Sequence, residues 1–194
     1  MPEDAIVIPQ MRLKINLIGQ QVLSLTSFGR SYAYYRAFIS RVDDAEQINR
    51  NFIKQASTCF VKECLIQWCI VFGSPKNNNL HYKNTTHYGA LKEINTKINS
   101  ELGYQQSKTN TYMQSVKKFR DRYIAHTDIT PEGRGRWQSL PYLEPAFTIA
   151  NTYTEWLIAE IPWGQPRQES LRELRPTFEA EANRAIEKFL PPAQ

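Results

Sequence analysis

The chain has little of the residue types on which many protein sites are built. Its 194 residues include three cysteines, three histidines and eight glycines. Cys59, Cys64 and Cys69 are odd in number and share one apolar stretch, so they do not form a disulfide framework. On a helix, neighbours five apart point about 140° away from each other. These cysteines therefore neither pair nor share a metal, and they read as small buried hydrophobes in a reducing compartment. His81 and His87 lie in a polar loop with no cysteine or carboxylate at ligand spacing, so they read as solvated side chains rather than zinc ligands. No metal and no cofactor are expected. There is no glycine-rich phosphate loop. No strand–turn–helix context supports a Ser-His triad. The most apolar segment, Cys64 to Phe72, is far shorter than the ~20 residues a membrane span requires. The opening Met1-Pro2-Glu3-Asp4 has no basic n-region. A cytoplasmic protein without a membrane partner is the expectation. Strand alternation with hairpin turns is also absent, as are internal repeats and low-complexity tracts.

What is present is an ordinary globular composition, 41% hydrophobic and 22% charged. The length suffices for one domain with a real core. A formal charge of +5 permits a polyanionic partner without demanding one.

Along the chain, residues 1–9 read as a flexible tail closed by Pro9. Met11, Ile15, Ile18, Val22 and Leu25 then form one helical seam. Phe28, Tyr32, Tyr35, Ile39 and Val42 continue it, with Gly29 as a candidate bend. Asp43-Asp44 reads as an N-terminal cap. The helix after it is apolar nearly all round and stops at Gly73-Ser74-Pro75. Residues 74–87 are polar and turn-rich. Tyr88, Leu91, Ile94 and Ile98 mark another helix, closing near Gly103. A long helix is expected from about Lys108 to about His126, then a loop over 127–142. Ala146, Ile149, Ala150, Tyr153, Leu157 and Ile161 mark the next helix, with Pro145 in its first turn. Leu171, Leu174, Phe178, Ala182, Ala185 and Phe189 mark a last one, which Pro176 should start or kink. The expected fold is all-α. A flexible tail (1–9) precedes an up-and-down bundle of long helices over 10–162, and a helical extension covers 163–194. That extension packs on the bundle or on a second subunit.

The segment with the most chemistry is Lys117-Lys118-Phe119-Arg120-Asp121-Arg122-Tyr123-Ile124-Ala125-His126. Cations suit the negative end of a helix macrodipole, so these residues also suit a plain helix end. The functional reading starts from what RNA cleavage needs. One group must take the proton of the ribose 2′-hydroxyl, another must stabilise phosphate charge, and a proton must reach the leaving 5′-oxygen. Histidine titrates near neutrality and serves as base or acid. Arginine offers forked donors matched to phosphate oxygens. Lysines hold the polyanion by counterion release. On a straight α-helix the directions of Arg120 and His126 differ by about 120°. Convergence therefore requires the helix to end there. One histidine is a thin set for proton transfer at both oxygens, and a two-fold dimer supplies a second.

Arg120-Asp121-Arg122-Tyr123-Ile124-Ala125-His126 resembles the HEPN superfamily motif, in which an Arg is followed after four to six residues by a His. The wording is most similar to the abortive-infection branch. The resemblance implies an all-helical, commonly dimeric protein. It also implies a metal-independent endoribonuclease of toxin or phage-defence type. Arg120 and His126 would then be the catalytic pair and Asp121 the adjacent polar residue that orients them. Lys117, Lys118 and Arg122 are assigned to nucleic-acid contact. The expected partners are RNA and a second copy of the chain. The alternative is a non-catalytic HEPN-like module that binds RNA or protein, as one half of a pair with an antitoxin of nucleotidyltransferase type.

Overall fold

The computed structural model describes residues 4–125, 140–161 and 168–190. Among them, every regular element is helical: α1 (Asp4–Ser40), α2 (Gln47–Phe72), α3 (Tyr82–Thr85), α4 (Tyr88–Leu102), α5 (Gln106–Arg120), α6 (Glu144–Ala159) and α7 (Leu171–Glu187). A 3₁₀ turn over Val42–Asp44 joins α1 to α2, and a π-helical turn over Asp121–Ala125 extends α5. The fold is an all-α bundle, as the periodicity implies.

Five helices close a ring. α1 packs on α2, α2 on α5, α5 on α4, α4 on α6, and α6 again on α1. The ring encloses Phe28, Leu65, Trp68, Val116, Ile149, Tyr153 and Leu157, all sealed from solvent. Trp68 keeps its indole donor satisfied there, donating to the Ala146 carbonyl at 3.2 Å. α7 lies outside the ring against α1 and α6 of the same chain. α1 runs unbroken through Gly29, which faces α7. A Cβ at Gly29 would stand 3.3 Å from Leu171 Cδ2 and 3.5 Å from Phe178 Cε2.

Several local expectations are revised. α1 is already helical at Asp4 and passes through Pro9, where the sequence suggests a tail. Pro9 is the sixth residue of α1, past the first four unpaired N–H groups, so its missing N–H removes one intrahelical bond. Asp43 and Asp44 do not cap α2. They sit in the 3₁₀ turn, and Glu46 holds the cap position without a side-chain hydrogen bond. Asp44 instead accepts from Arg41 Nε. Cys59 is exposed, whereas Cys64 and Cys69 are buried; all three are free thiols. Tyr88 points outward, and Ala90, Ile94 and Ile98 carry the buried face of α4. Pro176 lies inside α7, which starts earlier on a Ser170–Glu173 capping box.

The polar connection from α2 to α4 is mostly exposed, but His81, Tyr82 and Thr86 within it are buried. Gln21 is fully buried on α1, and its amide donates to the Leu80 carbonyl and to Thr85 Oγ1, both at 2.8 Å. The Tyr153 hydroxyl lies within 3.3 Å of Thr85, Thr86 and Gln21. A buried amide and phenol left unpaired would each carry a desolvation penalty, so this network fixes the connection onto the ring. His81 and His87 are not idle solvated residues. Each is an N-cap whose Nδ1 accepts a backbone N–H, from Lys83 and from Ala90 respectively.

Candidate functional site

α5 brings the cationic segment to the ring's edge and is anchored along its length. At its start, Thr109 donates to Asn99 Oδ1 of α4 at 2.6 Å. Midway, the Tyr112 hydroxyl donates to the Tyr142 carbonyl at 2.7 Å and accepts the Ala146 N–H at 3.1 Å. That N–H belongs to the first turn of α6, where backbone donors have no intrahelical partner. Val116 is sealed in the core.

At its C-terminal end α5 meets the end of α2. Gly73 terminates α2, its N–H bonding back to the Cys69 carbonyl at 2.9 Å. A Cβ at Gly73 would lie 2.3 Å from that carbonyl oxygen and 3.4 Å from a terminal nitrogen of Arg120. A side chain here would clash with that carbonyl, while its contact with the guanidinium would be an ordinary one; the guanidinium lies beside the α2 terminus, where helix carbonyls concentrate negative potential. Arg120 is one-quarter exposed, and its Nε stands 3.0 Å from Asp121 Oδ1. The direction is not that of a hydrogen bond, and Nε has no hydrogen-bond partner among the described residues. The contact is thus an ion pair with one buried donor left over. Arg120, Cys69 and Asn78 line a cleft of about 290 Å³. Burial pushes the Cys69 thiol up to about 11, although the Arg120 guanidinium beside it works in the opposite direction. A thiol so placed stays protonated at neutral pH and is not a nucleophile.

The helix changes character at the next residue. The Asp121 N–H is shared between the Lys117 and Lys118 carbonyls, and Asp121–Ala125 forms the π turn. The expected α-helix to His126 therefore ends at Arg120. The 120° separation of Arg120 and His126 assumes unbroken α geometry, and the wide turn removes that assumption. Turns of this type recur at functional sites. Of the candidate residues, Arg120 and Asp121 are brought together. Lys117 is half-buried beside them, and Lys118 and Arg122 are exposed. His126 lies outside the described residues.

Sequence reasoning placed Gly73 only as a helix stop and His81 only as a solvated loop residue, and did not single out Asn78 or Lys83; all four share this end of the molecule. His81 is buried, and burial lowers its pKa to about 4, with Lys83 and Lys117 acting in the same direction. Histidine is not among the favoured caps, so no local signal marks its role. Among the described residues, no three His, Cys, Asp or Glu side chains converge to hold a metal ion, and no helix is long and apolar enough to cross a membrane. Comparison of the chain with protein-family models, with curated proteins and with solved structures finds no significant match to any of them.

Proposed function

We propose that this chain is a metal-independent endoribonuclease of toxin or phage-defence type, acting as a cytoplasmic homodimer with a composite site. The observation that carries the reading is the end of α5. Arg120 is its last α-helical residue, its guanidinium lines a cleft, and the helix widens into a π turn at the next position. In the reaction a base takes the 2′-hydroxyl proton, the 2′-oxygen attacks phosphorus, and the bond from phosphorus to the 5′-oxygen breaks. The leaving oxygen takes a proton, giving a 2′,3′-cyclic phosphate and a 5′-hydroxyl. His126 is assigned to one proton transfer and its copy in the second subunit to the other. Arg120 stabilises the charged phosphorane, and Asp121 orients the guanidinium.

The test is cleavage of single-stranded RNA in EDTA. His126→Ala should lower the rate by about 10²–10⁴-fold and Arg120→Ala by about 10²–10³-fold, with unchanged helical circular dichroism. Undiminished cleavage by His126→Ala would exclude the assignment. One observation favours a second reading. The Arg120 guanidinium is already engaged by Asp121 and Cys69, which suits a non-catalytic module that binds RNA or a protein antitoxin. Salt-dependent RNA affinity without cleavage products would identify that module.

A further inference from the structure

A second cleft, of about 350 Å³, opens at Gly73. It is lined by Lys83 from α3 and by Asn110, Gln114 and Lys117 from α5, with His81 and Gly73 at its base. No carboxylate is among the described residues that line it. Neither lysine is paired with a carboxylate among the described residues. Asn110 accepts from Gln106 through its carbonyl oxygen, which leaves its amide hydrogens for another acceptor. Gln114 supplies a second amide. Asn110, Gln114 and Lys117 are spaced i, i+4 and i+7, one stripe along α5, and Arg120 follows three residues later. That stripe covers about 15 Å from Asn110 to Arg120. In a stacked strand successive phosphates are about 3.4 Å apart along the axis, so it exceeds the reach of one phosphate.

The two clefts also share one field. Lys117 acts electrostatically on both His81 and Cys69, Lys83 acts on His81, and Arg120 acts on Cys69. The cationic groups of both clefts are thus in electrostatic reach of one another around the end of α2.

We infer that the Lys83–Lys117–Asn110–Gln114 cleft holds the backbone phosphate of a single-stranded RNA next to the one at Arg120. The inference rests on the nuclease or RNA-binding reading above and adds the path the strand takes. Two lysines supply charge and two amides supply direction. Contacts to a backbone phosphate carry no sequence information, so the cleft adds affinity and register without sequence preference. Lys83 is the residue that distinguishes the path, because it comes from outside α5 and its side chain is exposed.

The test is the affinity of the full-length protein for a 2′-O-methyl oligoribonucleotide, which has no 2′-hydroxyl to attack. Fluorescence anisotropy from about 50 to 200 mM KCl gives the slope of log K against log salt, which changes by about 0.7 per phosphate contact on single strands. Lys83→Ala should reduce the slope by about 0.7 and the affinity several-fold at the low-salt end. Asn110→Ala/Gln114→Ala should weaken binding with the slope retained. Lys54→Ala, on an exposed position of α2, should change neither. If wild type binds RNA with a salt-dependent slope that Lys83→Ala leaves intact, the path is wrong while the RNA reading stands. A Lys83→Ala protein that keeps its RNA slope but loses binding of inorganic phosphate also overturns it, in favour of a small phosphorylated ligand. If wild type shows no RNA affinity at low salt, the RNA reading and the path fall together.

Discussion

Single residues at the α2–α5 junction set what the site can do. Gly73 is required by space, because any Cβ would press on the Cys69 carbonyl, so a substitution must shift the backbone at the α2 terminus beside Arg120. Gly73→Ala should cost about 1–3 kcal/mol of stability, as overpacking does. It should also displace Arg120, lowering RNA cleavage or binding in proportion. Thermal melts and the RNA assays together check this, and a fully stable, fully active variant would contradict it. His81 gives a pH signature of the opposite kind to a surface histidine. Its folded pKa of about 4 lies below the ordinary 6.5, so the unfolded chain binds the proton first as pH falls. Stability is therefore complete above about pH 6.5 and declines between 6.5 and 4, by about 3 kcal/mol in all. His81→Asn keeps an acceptor for the Lys83 N–H and has nothing to titrate. Urea unfolding at pH 7 and 4.5 should show a smaller loss for the variant than for wild type.

At the scale of elements, the decisive relationship is how each helix end is fixed. α7 begins on the reciprocal Ser170–Glu173 box, with Ser170 N–H to Glu173 at 2.7 Å and the return bond at 3.3 Å. The Arg172 N–H in the same turn donates to buried Asn151 Oδ1 of α6 at 2.8 Å. Ser170→Ala should lower unfolding free energy by about 1 kcal/mol. The expected signature is a lower urea midpoint at unchanged m, since the buried surface stays the same. Farther along, Arg175 donates to Glu144 Oε1 at 2.6 Å while the Tyr32 hydroxyl donates to Oε2 at 2.7 Å. Partial burial raises the Glu144 pKa, but these two donors outweigh it and leave the carboxyl below its ordinary value. Stability from this junction of α1, α6 and α7 is thus present above the unfolded carboxyl pKa and lost as pH falls through the folded one. α5 differs from α7 in having its free end at the site, with its last α-helical turn carrying Lys117, Lys118 and Arg120.

For the whole molecule, the closed ring of helices surrounds the core, and the proposed site lies at the edge where α2 and α5 end together. A single copy supplies one Arg120 and one His126, which is why the proposed reaction requires association. Sedimentation should give a mass near twice 22.6 kDa. Specific activity should fall on dilution through the dissociation range. Full activity from a strictly monomeric species would remove the composite site.

The sequence by itself determined the helical class, most helix positions and the cationic helix end. Each of these follows from periodicity or from charge within a few residues. α6 shows this best, since its apolar seam from Ala146 to Leu157 is the face that packs. Tertiary structure decided what depends on neighbours distant along the chain. His81 and His87 look solvated by local polarity, yet each caps a helix, and His81 is buried where Gln21 and Tyr153 draw the connection onto the ring. Gly29 reads as a candidate bend, and its closeness to Leu171 and Phe178 of α7 is visible only in the packed structure. Lys83 belongs to no local motif, and it lines the same cleft as Lys117 because α2 ends against α5. Periodicity reports which face of a helix is buried. It carries no information about which distant side chain will lie across from it, and at this site that pairing sets the charge and the space.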